Sequence, residues 1–132
     1  MESEGNLREI YEAEDLYGLY QQGMALLVSG DYGPATVPLE KAAKIAPEKG
    51  SIREALGRAY FHCHRYPEAA AEFESIVEDH PVDDYAQFCL GRALTLCGQR
   101  DRARHHLAIA ACLRPDRRDY RMYRERARAT AA

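Results

Sequence analysis

The sequence predicts an all-α fold, an α-solenoid of stacked helix pairs, and three observations predict it. Gly23, Gly57 and Gly91 recur at a spacing of 34 residues; Ala35, Ala69 and Ala103 repeat the spacing, and so do Pro47, Pro81 and Pro115. No insertion or deletion separates the three registers, so three tandem units of one design follow one another. A fixed period of this length marks a stacked array rather than a single closed core. Such arrays bind along a surface built from many repeats, and the period alone leaves the partner unnamed.

Each unit reads as two helices. Residues 1–15 form an N-terminal helical extension on the strength of Leu7, Ile10 and Tyr11, and residues 16–49 are the first unit. Leu19, Gly23 and Leu26 mark its first helix, and Ala35, Leu39 and Ala42 its second. Pro38 falls inside that second helix, where it removes a backbone donor and crowds the preceding turn, so a kink is expected. In the second unit, residues 50–83, Ser51 with Glu54 three residues on reads as a capping box. Leu56, Gly57, Ala59 and Tyr60 follow at helical spacing, and the helix is expected to end near His64 and Arg65. Pro67 opens the next helix, since proline fits a first turn, and Ala69, Ala70, Phe73, Ile76 and Val77 give it an apolar face. The third unit, residues 84–117, repeats the scheme with Asp84 and Gln87 at the start, then Leu90, Gly91, Ala93 and Leu94, then Ala103, Leu107, Ala110 and Ala111.

Glycine in mid-helix costs about 1 kcal/mol against alanine, so its recurrence implies a close approach by a neighbouring helix. Ala35, Ala69 and Ala103 are the expected opposite contacts, with the large residues Leu26, Tyr60, Leu94, Leu39, Phe73 and Leu107 filling the space beside them. Residues 118–132 are helical in propensity and rich in charge. Repeat arrays need a polar terminal element over the last exposed core. Tyr120 and Tyr123, with Met122 or Ala127, would serve as the apolar side of a capping helix; a basic docking tail is the other reading.

With its small residues at the eighth and twentieth positions and proline at the thirty-second, this pattern resembles the tetratricopeptide repeat, a 34-residue antiparallel helix pair. The resemblance covers about 100 of the 132 residues. It departs from the family at the seventh position of the first unit, Gln22, and at the fourth position, which is Leu19 but then Arg53 and Gln87. A looser, more exposed first turn is expected in units two and three. The resemblance implies that the first helix of each pair lines a concave wall. Carried over position by position, the wall is Tyr17, Tyr20, Met24, Leu27 and Val28; then Ser51, Glu54, Arg58, Phe61 and His62; then Tyr85, Phe88, Arg92, Thr95 and Leu96. Offsets of three and four share a helix face. The expected binding residues are Tyr17, Tyr20, Met24, Leu27, Phe61, Tyr85 and Phe88 as apolar anchors, with His62 beside them and Arg58 and Arg92 as cations. Co-chaperones of the family that grip a C-terminal carboxylate carry lysine and asparagine where this chain has Tyr20 and Met24, so that clamp is absent.

No catalytic or cofactor constellation emerges. His62, Cys63 and His64 are consecutive, and residues on a helix point about 100° apart, so they do not converge on a metal. Cys63, Cys89, Cys97 and Cys112 read as reduced, buried thiols, and His105 with His106 as a surface pair. Apolar runs fall short of a membrane span, and residues 1–6 show no secretory signal; a cytoplasmic protein is expected. Residues 1–97 hold 17 acidic and 8 basic side chains, a net of −9, whereas residues 98–132 hold 4 and 10, a net of +6. Seven arginines lie between Arg114 and Arg128, but three acids interrupt them and the remainder is acidic, so a nucleic-acid partner is not expected. The reading is therefore a non-catalytic adaptor or chaperone-like module, without cofactor or metal, that binds a protein or peptide. A self-assembling subunit joined through acidic N-terminal and basic C-terminal faces, a homo-oligomer, is the second reading.

Overall fold

The computed structural model describes residues 2–130, with side chains from Asp15 to Thr130. Seven helices run in order: α1 (Glu2–Val28), α2 (Tyr32–Ile45), α3 (Gly50–His62), α4 (Tyr66–Asp79), α5 (Asp84–Leu96), α6 (Arg100–Leu113) and α7 (Arg118–Ala129). The described residues contain no strand, and the fold is the all-α array of helix pairs that the period predicts. Helix starts at 50, 84 and 118, and at 32, 66 and 100, keep the same 34-residue step. The chain divides into two compact units, one ending at Cys63 and the other beginning at His64.

In the first unit α1 packs on α2, α2 on α3, and α1 on α3. Gly23 is the reason α1 and α2 lie so close. A Cβ built there would stand 2.5 Å from both Cγ and Cδ2 of Leu39. The glycine makes a hole, and a leucine four residues beyond Ala35 fills it. This corrects the expected pairing of small residue against small residue. Ala35 is itself fully buried, as are Leu39 and Ala42. Helix α2 continues unbroken through the buried Pro38. The Tyr60 hydroxyl of α3 donates to Glu40 Oε1 of α2 at 2.7 Å, adding a polar tie to the apolar contact.

The second unit holds α4 to α7. Here Gly91 repeats the hole, and its Cβ would meet Leu107 Cγ at 2.6 Å and the Leu107 backbone nitrogen at 3.2 Å. Around that contact Phe88, Leu107, Ala110, Ala111 and Tyr120 form one buried cluster, with Tyr123 and Ala127 packed on it. Three of these residues come from α7, so the last helix covers the end of the core. Tyr120 is wholly buried and its hydroxyl donates to Asp84 Oδ2 at 2.7 Å. Burial and that carboxylate push the phenol well above its usual pKa. Met122, the alternative to Ala127 at this contact, stays exposed.

The turns carry a periodic device of their own. Arg53 Nε donates to the Pro47 carbonyl, Gln87 Nε2 to the Pro81 carbonyl at 2.9 Å, and Arg121 Nη1 to the Pro115 carbonyl at 2.8 Å. Each bond spans six residues, and the donors step by 34. Far from leaving a loose first turn, Gln87 is 2% exposed, so the expectation of an exposed start does not hold there. Its Oε1 lies 2.7 Å from His106 Nδ1, which satisfies the buried amide from both sides. The capping box at Ser51 does not form. Lys49 is already the N-cap and helical backbone begins at Gly50, which moves Ser51 inside the first turn. One repeat on, the N-cap is Asp83, whose Oδ1 accepts from the Ala86 N–H at 3.0 Å. Lysine and arginine at the equivalent positions, Lys49 and Arg117, have no acceptor to offer.

Residues 30, 64 and 98 reverse the chain between paired helices in the left-handed region. Two are glycines, Gly30 at φ 82° and Gly98 at φ 80°, but the third is His64 at φ 64°. A side chain pays for that conformation with roughly 1–2 kcal/mol.

Three measurements check these points. Gly91→Ala should lower stability by about 1–2 kcal/mol in urea unfolding, overpacking outweighing the propensity gain, whereas Gly18→Ala, whose Cβ meets nothing within 4 Å, should raise it by up to about 1 kcal/mol. His64→Gly should raise stability by roughly 1 kcal/mol in the same assay, since it removes the left-handed penalty; a loss there would contradict the strain. The third concerns His106, whose pKa is lowered chiefly by burial, then by the charges of His105 and Arg102 against an opposing Glu74. The unfolded chain therefore takes up this proton near pH 6.5 and the folded chain only at lower pH. Stability from this site is present above that value and declines as pH falls beneath it. Urea midpoints at pH 7.5 and 5.5 should differ less in His106→Gln, which stays neutral, than in the natural sequence.

Candidate functional site

In the first unit the expected wall residues lie on α1 and α3, which are neighbours. Tyr17 is 65% exposed, and its hydroxyl accepts from Gln21 Nε2 at 2.8 Å one helical turn away. Tyr20 is half-buried, because with Leu16 and Leu19 it packs on the cluster of Ala42, Ala46 and Ile52. Met24, Arg58 and Phe61 are also half-buried. Leu27 is only 5% exposed and belongs to the core. Its place as an open apolar anchor is corrected: the residue is buried at the C-terminal end of α1, which packs on α2. Val28, the next residue, is fully open instead. His62 is exposed and stacks on Tyr32 at the start of α2, ring centroids 4.3 Å apart and planes 19° from parallel, with Phe61 edge-on at 5.9 Å. Tyr32 was not among the expected residues, although its position at a helix start left it free to meet the end of α3.

In the second unit the wall is α5, and α7 changes what it offers. Phe88 is 7% exposed, with Tyr120 tilted over it at 4.6 Å and Tyr123 edge-on at 5.2 Å. It is therefore a core residue and not an open anchor, because the terminal helix lays two tyrosines on it. Arg92 lies over the Tyr123 ring at 4.9 Å and over Phe88 at 5.9 Å. A guanidinium over an aromatic face is held by the ring quadrupole, so Arg92 is fixed in direction. Tyr85 and Leu96 remain exposed. Arg92, Thr95 and Leu96 share with Tyr123 a shallow cleft of about 240 Å³. Tyr123 is the lining residue that sequence reasoning missed. The repeat frame carried no signal for it, since Tyr123 is in register with Cys89 of α5, which is not a wall position.

The arginine-rich end is largely tied to its own acids. Arg114 pairs with Asp116 through both Nε and Nη2, at 3.0 and 2.9 Å, and Arg117 grips Asp119 in the same way at 3.0 and 2.7 Å. These bonds hold the Asp116 and Asp119 carboxyls below the usual carboxylate range. Glu125 meets Arg124 at 3.2 Å and Arg128 at 3.1 Å. Exposed pairs of this kind add little stability, but they reduce the field that a phosphate backbone would feel.

Among the described residues no group of three or more histidine, cysteine or acidic side chains is placed to hold a metal. His62 turns to Tyr32, while His64 Nδ1 lies 2.7 Å from the Tyr66 hydroxyl. All four cysteines are free, but none is buried as expected: Cys63, Cys89 and Cys97 are half-buried and Cys112 is exposed. The Cys63 thiol donates to the Ala59 carbonyl at 3.0 Å, and burial pushes the Cys97 thiol upward in pKa. No helix among the described residues is long and apolar enough to cross a membrane.

No curated protein matches the sequence at a significant level. A family model described as tetratricopeptide repeat matches residues 26–89. Solved structures match far more of the chain. A MamA fragment from Desulfovibrio magneticus RS-1 is 25% identical, with 88% of this chain and 66% of that one covered at a TM-score of 0.84. The first such domain of Spaghetti, bound to the HSP90 peptide SRMEEVD, is 17% identical over 90% of this chain and 95% of that one, TM-score 0.81. The second such domain of human RPAP3, in complex with the HSP70 peptide SGPTIEEVD, is 14% identical over 89% and 98%, TM-score 0.80. The last two likenesses are of fold alone, and the chain spans 66% of the MamA chain it matches. The unbroken period, the repeated glycine–leucine contacts and these matches together give the chain the fold of the tetratricopeptide-repeat proteins, which it resembles over most of its length.

Proposed function

We propose that this chain is a non-catalytic protein-interaction module that holds a peptide or helix of a partner protein on its first-of-pair helices. The observation that carries this is the exposed aromatic edge of α1. Tyr17 stands 65% exposed on the same helix as the half-buried Tyr20 and Met24. Aromatic and methionine side chains are enriched where proteins bind one another, and they bring large contact area at low entropic cost. The Spaghetti and human RPAP3 domains, which share the fold, hold acidic peptides. Here Tyr20 and Met24 stand where carboxylate-gripping members of the family carry lysine and asparagine, so apolar side chains of the guest are the anchors. The guest is accordingly an amphipathic helix or extended segment with hydrophobic residues at helical or alternating spacing.

A tagged chain and its Tyr17→Ala/Met24→Ala variant, used side by side in pull-downs read by mass spectrometry, test the proposal. A partner recovered with the natural sequence should fall at least tenfold with the variant, about 1.4 kcal/mol in binding, with little change in melting temperature because Tyr17 is exposed. The peptide SRMEEVD, titrated calorimetrically, should show no micromolar binding. Equal recovery from both proteins, or tight binding of that peptide, overturns the reading.

A further inference from the structure

The end of the second unit carries a further cleft, which adjoins the one under Arg92 and shares Thr95 and Tyr123 with it. It is a recess of about 190 Å³ between α6 and α7, with Leu107, Tyr123 and Ala127 among its floor residues and Arg100, Arg104 and Arg126 around it. The floor is apolar and the rim cationic. Arg126 lies over the Tyr123 ring at 5.3 Å, which keeps its charge beside the opening. Arg104 is paired with Asp101, itself almost fully exposed. The recess forms where α7 lies against α6. In the 34-residue frame α7 occupies the place of a fourth first-of-pair helix, and no paired second helix follows it among the described residues.

We propose that this cleft takes the acidic N-terminal segment of a second copy of the chain, joining copies head to tail. Complementarity of two kinds supports that occupant. Residues 2–15 contain Glu2, Glu4, Glu9, Glu12, Glu14 and Asp15 against one basic residue, Arg8, and their backbone is helical. Leu7, Ile10 and Tyr11 recur within it at the spacing of one helix face. A helical segment rich in acids, with apolar residues at helical spacing, matches an apolar floor among arginines. The two surfaces lie at opposite ends of the chain in sequence, so the contact is heterologous: each copy offers one of each, and association proceeds as open chains unless the rotation closes a ring. The inference is independent of the peptide-binding proposal, which is carried by Tyr17, Tyr20 and Met24 of α1.

Sedimentation velocity on the full chain over a range of concentrations tests it. Concentration-dependent association is expected at low salt, weakening at least tenfold at 1 M salt, where the Debye length falls to about 3 Å. Arg100→Glu with Arg126→Glu should weaken association at least tenfold, and so should Glu9→Arg with Glu12→Arg. Circular dichroism checks that both variants remain helical. A chain carrying all four reversals should associate again, because the charges are exchanged and not lost. A monomer under every condition overturns the proposal, as does an oligomer indifferent to both pairs of reversals. Failure of the fourfold variant to recover, with both pairs individually disruptive, overturns the pairing of these two surfaces.

Discussion

Everything in this array depends on one steric fact: a missing side chain on one helix receives a leucine from the next. At Gly23 and Gly91 an added Cβ would stand within 2.6 Å of leucine carbons, closer than nonbonded carbons approach. The helix loses about 1 kcal/mol of intrinsic stability at each glycine, and the buried leucine offsets it, since burying such a side chain contributes about 1.5–3 kcal/mol. This also sets the spacing of the array. Because the helices meet at a fixed short distance, the turns must be of constant length, and every helix boundary from α2 to α6 keeps its 34-residue step.

The turns then need their own fastening, and the structure supplies it through side chains rather than through added backbone order. Arg53, Gln87 and Arg121 each reach back to a proline carbonyl that no helix satisfies. That the third of these belongs to α7 is informative. The last helix is in frame with the repeats, not an unrelated appendage. What differs is the face a following helix would cover. Leu90, Gly91 and Leu94 of α5 correspond to Arg124, Glu125 and Arg128 in α7. A charged face has no need of a partner helix, and Tyr120 closes the apolar side of α7.

Much of this was legible in sequence because periodicity survives any error of detail. Three registers agreeing over three repeats fix the helix pairs, the glycine positions and the class of surface. What was less legible depends on side-chain geometry. Small residues announce close approach, but not whether a small or a large residue answers it; Leu39 rather than Ala35 does so because it lies one turn further along α2. The cap at Asp83 rather than Asp84 turns on a single residue's backbone angles. Gln87 reads in sequence as an exposed departure from pattern, since nothing in the linear chain brings His106 to it. Phe88 and Arg92 were assigned from repeat position alone, and repeat position does not register that the array ends. The tyrosines of α7 cover Phe88, and only side-chain geometry shows it.

That last point bears on how charge is distributed. A solenoid exposes its two ends whatever its middle does, and the ends are where repeat sequences are freest to differ. Here acids crowd residues 1–15 and arginines crowd residues 98–132. Several of those arginines are committed to neighbouring acids: Arg114 to Asp116, Arg117 to Asp119, Arg124 and Arg128 to Glu125. Such pairing shortens the range of the basic end without abolishing its sign, because short ion pairs present a dipole rather than a bare charge. A surface of that kind discriminates at contact distance and steers weakly from afar. It suits a partner that arrives in register, as a repeat stacking on a repeat would, better than a flexible polyanion that needs a continuous field.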